Sequence, residues 1–323
     1  MRTEPVPEEG VLIERISATS VSRIDSIDIG RRTAAAQVDV PSRERVAWGA
    51  APTPAPVRPS AATTASAPVA ANAPGAPDAL TLARLSQDVY LDVASPPPGY
   101  RTASEAELAR VGVTPAMLAT QPNGYRARAY ITGTGEGAQV VIAFRGSSEA
   151  GDWATNARQA LGMNSFHYRR ALDIGRMVAA SGAANVTFTG HSLGGGLASA
   201  AGLAAGRGTA TFNAAGLHDS TIGQANTIRT AAGQAAPDIR AYYVRGEVLS
   251  ALQDGGDRVA GGLLGRMILG PLGGVFGSRA DAPEAYGTRI ELDAVRPEGK
   301  RFWNDNPVDR HGMDWVIAGL QAR

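Results

Sequence analysis

The chain has 323 residues, a formal net charge of +1, 44% hydrophobic residues and no cysteine. This balance, with no long run of Lys and Arg, argues against nucleic-acid binding and against a permanent polybasic membrane anchor. The absence of cysteine excludes disulfides, thiolate metal sites and a cysteine nucleophile, while the length accommodates two domains or one large α/β fold.

Residues 1–49 hold short apolar groups such as Val11-Leu12-Ile13 among scattered charges, enough for a short helix or a partner-binding segment. Residues 50–78 are almost wholly Ala, Pro, Thr and Ser, a composition that cannot bury enough apolar surface to offset chain entropy. The expected organisation is therefore a disordered segment over 1–77, ending in an Ala/Pro-rich linker, and a folded domain over 78–323. Met1-Arg-Thr-Glu-Pro-Val-Pro-Glu-Glu lacks the basic-then-apolar order of a secretory signal peptide, so any export is expected to use a leaderless route.

Leu80, Leu82, Leu85 and Val89 recur at helical spacing behind Asp78, which predicts an opening amphipathic helix with an aspartate cap. Tyr125-Arg-Ala-Arg-Ala-Tyr-Ile alternates like a half-buried strand, Gly133-Thr-Gly-Glu-Gly reads as a hairpin turn, and Gln139-Val-Val-Ile-Ala-Phe as a fully buried strand. Tyr168, Ala171, Leu172, Gly175 and Val178 then mark a helix leading into the strand Asn185-Val-Thr-Phe-Thr. Further strands are expected from Thr209, Ile239 and Thr288, and Met313, Val316, Ile317 and Leu320 line a closing helix. Strands separated by helices imply an α/β fold with a mostly parallel central sheet covered by helices on both faces.

Gly190-His-Ser-Leu-Gly lies between the Asn185 strand and a small-residue helical run, the setting in which G-x-S-x-G forms a nucleophile elbow. A serine hydroxyl requires a base and an acid that orients the base. Of the four histidines, His191 sits in the elbow and is expected to point away from the attack face, and His167 reads as a capping or packing residue. His218 follows a strand and is a minor candidate, whereas His311 alone is late enough for the order Ser, acid, His. Glu247, just past the Ile239 strand, is the preferred acid, with Asp254, Asp257 and Asp219 as alternatives. The oxyanion donors are expected from Leu193 N–H and from Ser147, in Phe144-Arg-Gly-Ser-Ser after the buried strand, although a plain β-to-α turn fits that stretch equally well.

Ala143-Phe-Arg-Gly-Ser, Asp152-Trp153 and Gly190-His-Ser-Leu-Gly-Gly together resemble the class 3 lipase family of α/β-hydrolases. Thr211-Phe-Asn-Ala-Ala-Gly-Leu and Arg310-His-Gly-Met-Asp are similar to its bacterial phospholipase-like members, some of them secreted effectors. The resemblance implies Ser192 as nucleophile, His311 as base, Ser147 and Leu193 at the oxyanion hole, and hydrolysis of lipid acyl esters without metal or cofactor. It also implies a bacterial protein made in the cytoplasm, with secretion as an expectation and the N-terminal tail as a candidate for an export or adaptor partner. In place of the family's Asp, aliphatic pair and Pro, this chain has Glu247-Val-Leu-Ser, one methylene longer at the acid.

Residues 259–277 are apolar apart from Arg266 and rich in glycine. A membrane span there would separate the expected acid from the base and is the minor reading; the two main ones, equally weighted, are a lid or interfacial patch presenting Leu263, Leu264, Met267, Ile268 and Phe276 to a membrane surface, and a buried insertion. The rival functions are a serine peptidase or thioesterase on the same scaffold, and a non-catalytic interaction protein.

Overall fold

The computed structural model describes residues 77–146, 165–253 and 283–323. Among these residues the strands are β1 (Arg101–Thr102), β2 (Ala127–Thr132), β3 (Gln139–Phe144), β4 (Val186–His191), β5 (Thr209–Phe212), β6 (Ile239–Val244) and β7 (Thr288–Leu292). They form one sheet in the order β1-β2-β3-β4-β5-β6-β7. β1, β2 and β3 pair antiparallel, with Ala127 opposite Phe144, and every pair from β3 to β7 is parallel. The expected α/β architecture with a mostly parallel sheet is thus the one observed.

The helices among the described residues are α1 (Ala79–Asp88), α2 (Glu105–Arg110), α3 (Pro115–Leu118), α4 (Ser165–Ser181), α5 (Leu193–Ala205), α6 (Asp219–Ala231), α7 (Val248–Gln253) and α8 (Met313–Gln321). Asp78 caps α1, its carboxylate accepting the Thr81 N–H at 2.8 Å. Each step from β3 to β6 moves the chain the same way across the sheet, so right-handed crossovers put α4, α5 and α6 on one face. α1 and α8 cover the other.

β3 shows how the two-residue period sorts the core. Val140, Ile142 and Phe144 join Ile174 and Leu197 on the α4–α5 side, while Val141 and Ala143 join Leu85, Phe212 and Trp315 on the α1–α8 side. A strand covered on both faces has no polar alternation, which is why Gln139-Val-Val-Ile-Ala-Phe reads as a continuous apolar run.

α5 is buried along its whole length, and its small residues let it run close beneath the sheet edge. A Cβ on Gly194 would collide with the carbonyl oxygen of Phe144, and one on Gly190 with the carbonyl of Gly194. Both obstacles are backbone and cannot swing aside. Overpacking of this kind costs about 1–3 kcal/mol, so Gly194→Ala is expected to lower Tm by several degrees. Gly223, exposed within α6 with no atom near the position of an added Cβ, is the contrast: Gly223→Ala is expected to raise stability by up to about 1 kcal/mol. Thermal unfolding followed by circular dichroism checks both signs.

No helix among the described residues is long and apolar enough to cross a membrane. Residues 1–76, Ser147, Asp152-Trp153, Asp254, Asp257 and the 259–277 stretch with Leu263, Leu264, Met267, Ile268 and Phe276 lie outside the described residues.

Candidate functional site

β4 carries the chain to the C-terminal edge of the parallel strands, where it reverses at Ser192 with φ 58° and ψ −129° and enters α5 at once. A non-glycine residue with positive φ is costly and persists only where its surroundings over-determine it. Here the Ser192 N–H donates to Phe212 O at 3.1 Å, and the Ser192 carbonyl accepts from Gly195 and Ala215 N–H at 2.9 and 3.0 Å. The elbow is thereby bolted to both β5 and α5. Leu193 is the first residue of α5, where the helix's own carbonyls offer its N–H no acceptor. The positive end of the helix dipole therefore faces the serine.

Glu247 follows β6 by a two-residue turn and is fully buried. Its carboxylate accepts from the Leu249 and Ser250 N–H groups at 2.9 and 2.5 Å, capping α7. The same carboxylate lies 2.7 Å from Nδ1 of His311, which is also buried. A carboxylate is acceptor-only, so Nδ1 carries the hydrogen and the lone pair of a neutral His311 ring resides on Nε2. Burial by itself pushes the Glu247 carboxyl up, but the hydrogen bond and charge of His311, with the bonds from Ser250 and Leu249, hold it below the usual range. The extra methylene of glutamate, relative to aspartate, is taken up in reaching both the α7 cap and the imidazole.

Two further groups tie His311 to the elbow. His191 Nε2 donates to the His311 carbonyl at 2.8 Å, with the two rings 4.8 Å apart between centroids. Asn213, itself at positive φ after β5, donates from Nδ2 to the same carbonyl at 2.9 Å and accepts the Val244 N–H at 2.9 Å. Nδ1 of His191 accepts the Tyr90 hydroxyl at 3.0 Å, and that hydroxyl accepts the Gly146 N–H at 3.0 Å. Gly146 is packed so tightly that an added Cβ would lie 2.5 Å from the Tyr90 oxygen and 3.2 Å from Ser192 Cβ. A chain of hydrogen bonds thus runs from the loop after β3, through Tyr90 and His191, to the backbone of His311.

Sequence reasoning did not find Tyr90, held Asn213 only as part of the Thr211-Phe-Asn-Ala-Ala-Gly-Leu similarity without a role, and gave His191 no part. Tyr90 follows the end of α1, more than a hundred residues before His191 in sequence, and nothing local marks it. Asn213 carried one signal, an Asn directly after a strand, where the left-handed region favours that residue. His218 and Asp219 are exposed at the start of α6, whereas Glu247 and His311 are buried together. His167 is buried in the first turn of α4 against Tyr125, with ring centroids 5.6 Å apart, as a packing residue would be.

Burial, and then the charge of His311, push the His191 imidazole down to about 3, against about 6.5 in an unfolded chain. Between these values the unfolded chain takes up a proton that the folded chain refuses. The stability contributed by neutral His191 is therefore complete above about pH 6.5 and is lost progressively as the pH falls. Replacing His191 with Gln is expected to make the fall of Tm below that pH shallower than in the wild-type chain. Identical slopes would assign the acid sensitivity to other groups.

An elbow serine, a buried imidazole and a buried carboxylate on neighbouring loops at one sheet edge can perform acyl transfer. Residues 81–298 match the model of the Tle-like phospholipase domain, a span that includes Ser192 and Glu247 and ends before His311. The chain is also 34% identical over 274 residues to a protein of Serratia liquefaciens named extracellular phospholipase A1, covering 79% of this chain and 76% of that one. On both grounds the chain belongs to the Tle-like phospholipase domain family.

Proposed function

We propose that the chain is a serine hydrolase that cleaves acyl esters of phospholipids, with Ser192 as nucleophile, His311 as base and Glu247 as the acid that orients it. The observation carrying this reading is the 2.7 Å bond between the buried Glu247 carboxylate and His311 Nδ1, on loops beside an elbow serine. The phospholipase family supports the choice of substrate.

In the proposed reaction His311 Nε2 takes the Ser192 Oγ proton as Oγ attacks the ester carbonyl carbon. The resulting oxyanion is stabilised by Leu193 N–H and by Ser147. The intermediate collapses with loss of the lysophospholipid alkoxide, which receives the proton from His311. Water, deprotonated by the same imidazole, then attacks the acyl-enzyme and releases the fatty acid. Glu247 keeps the hydrogen on Nδ1 throughout and stabilises the imidazolium formed in each half. The name of the Serratia relative supports the sn-1 ester as the bond cut and an extracellular site of action, with residues 1–77 the candidate segment for an export or adaptor partner.

Mass spectrometry on a phospholipid with different sn-1 and sn-2 chains tests this. The expected products are the free sn-1 acid and the sn-2 lysophospholipid. Head-group release, or turnover confined to thioester or peptide substrates, would overturn it.

A further inference from the structure

Isolated apolar side chains on a surface need no explanation, but apolar side chains gathered at one edge mark an interaction surface. Among the described residues the exposed large apolar side chains are Leu91, Val93, Phe166, Phe302, Trp303 and Val308, together with Met177 three turns into α4. Leu91, Val93, Phe166 and Val308 sit on segments at the sheet edge that carries Ser192, and the Phe302–Trp303 turn is tied to that edge through Asp305, which accepts from Arg310 next to His311. Leu91 and Val93 follow Tyr90, whose hydroxyl touches Gly146 and His191. Phe166 is in the first turn of α4, the helix that returns from the end of β3. Phe302 and Trp303 lie in the loop leaving β7, and Val308 directly precedes the turn that holds His311.

Phe302 and Trp303 are the most developed part of this rim. They are 70% and 56% exposed, and their rings pack edge to face with centroids 4.9 Å apart. The Arg301 guanidinium lies 4.9 Å above the Trp303 ring. Asp305 anchors the turn by accepting from Arg310 at 2.6 Å and pairing with Arg296 at 3.4 Å, and Lys300 pairs with Asp314 at 3.0 Å. The structure thus holds two large apolar rings out into solvent on a braced turn. An indole with a guanidinium beside it suits the boundary between acyl chains and phosphates, where the ring is buried and the cation meets the headgroup. The other cations of the loop are paired with carboxylates, which leaves apolar burial as the main drive.

We propose that the Phe302–Trp303 turn and the Leu91–Val93 segment form the surface by which the protein settles on a phospholipid bilayer, turning the Ser192 edge towards the headgroups. The choice of lipid as the partner rests on the phospholipase reading and on the continuity of this rim with the site. Contacts drawn from separate loops around a site fit a deformable lipid surface.

Binding is best read on the full-length Ser192→Ala chain, which leaves the lipid intact, by sedimentation with phosphatidylcholine vesicles. Adding Phe302→Ser with Trp303→Ser, or Leu91→Ser with Val93→Ser, is expected to lower the partition coefficient by about tenfold or more. Raising the salt concentration should change it little. Trp303 also reports on the otherwise unmodified rim: its share of the emission, taken as the difference from Trp303→Phe, should be quenched by brominated phosphatidylcholine. Unchanged partitioning in both serine pairs, or no quenching of Trp303, would overturn the proposal. Vesicle partitioning without any lipid product from the wild-type chain would overturn the phospholipase reading and leave the surface standing. Lipid hydrolysis with partitioning indifferent to the rim would do the reverse.

Discussion

Replacing Ser192 with alanine is expected to lower kcat for phospholipid hydrolysis by at least about 10⁴-fold, with Tm nearly unchanged. The two effects separate because the elbow is held by backbone bonds to Phe212, Gly195 and Ala215, all of which alanine keeps. The strain at φ 58° is likewise unaltered, since alanine has the same Cβ. Only the hydroxyl is lost, and with it the covalent route. Replacing His311 with alanine should lose activity to a similar extent, because the triad members act as a unit. It should also lower Tm, since the Glu247 carboxylate would remain buried without the imidazole at 2.7 Å. His218→Ala, at the exposed start of α6, should do neither. Rates on a dispersed phospholipid and a thermal melt for each variant decide the matter; a dead His218→Ala beside an active His311→Ala would reassign the base.

Replacing Glu247 with glutamine is expected to lower kcat by about 10³–10⁴-fold with little change in KM. Three N–H groups converge on this carboxylate, from Leu249, Ser250 and His311. Glutamine offers one acceptor oxygen and an amide that donates, so at least one of the three would face another donor. Either the α7 cap is broken, or His311 adopts the tautomer with hydrogen on Nε2, where it cannot accept the serine proton. Stability should fall as well, with a particular pH signature. The Glu247 carboxyl is held below its usual range, so its contribution is complete above about pH 4.3 and is lost as the pH falls through the lower folded value. The glutamine variant should therefore show a shallower acid limb of Tm than the wild-type chain. Asp219→Asn, on an exposed side chain in the first turn of α6, is expected to keep full activity. Loss of activity there, with Glu247→Gln active, would move the acid to Asp219.

The elements that could be read from sequence are those whose signal is local. β3 is a continuous apolar run because it is covered on both faces, α1 begins where Asp78 can cap it, and the glycines about Ser192 are required by backbone collisions within a short stretch. The sequence by itself therefore determined the α/β class, the elbow serine and the chain order that singles out His311. It left the acid open among four residues, because a loop carboxylate looks the same whether solvated or buried. Only the tertiary structure brought Glu247 to His311, since that choice depends on β6 ending beside the loop that returns to α8. The same holds for Tyr90, Asn213 and His191, which meet because the sheet order places the end of α1, the end of β5 and the turn at His311 at one edge. Hydrogen bonds between residues a hundred positions apart leave no periodicity in the chain; they exist only once the strands are in register.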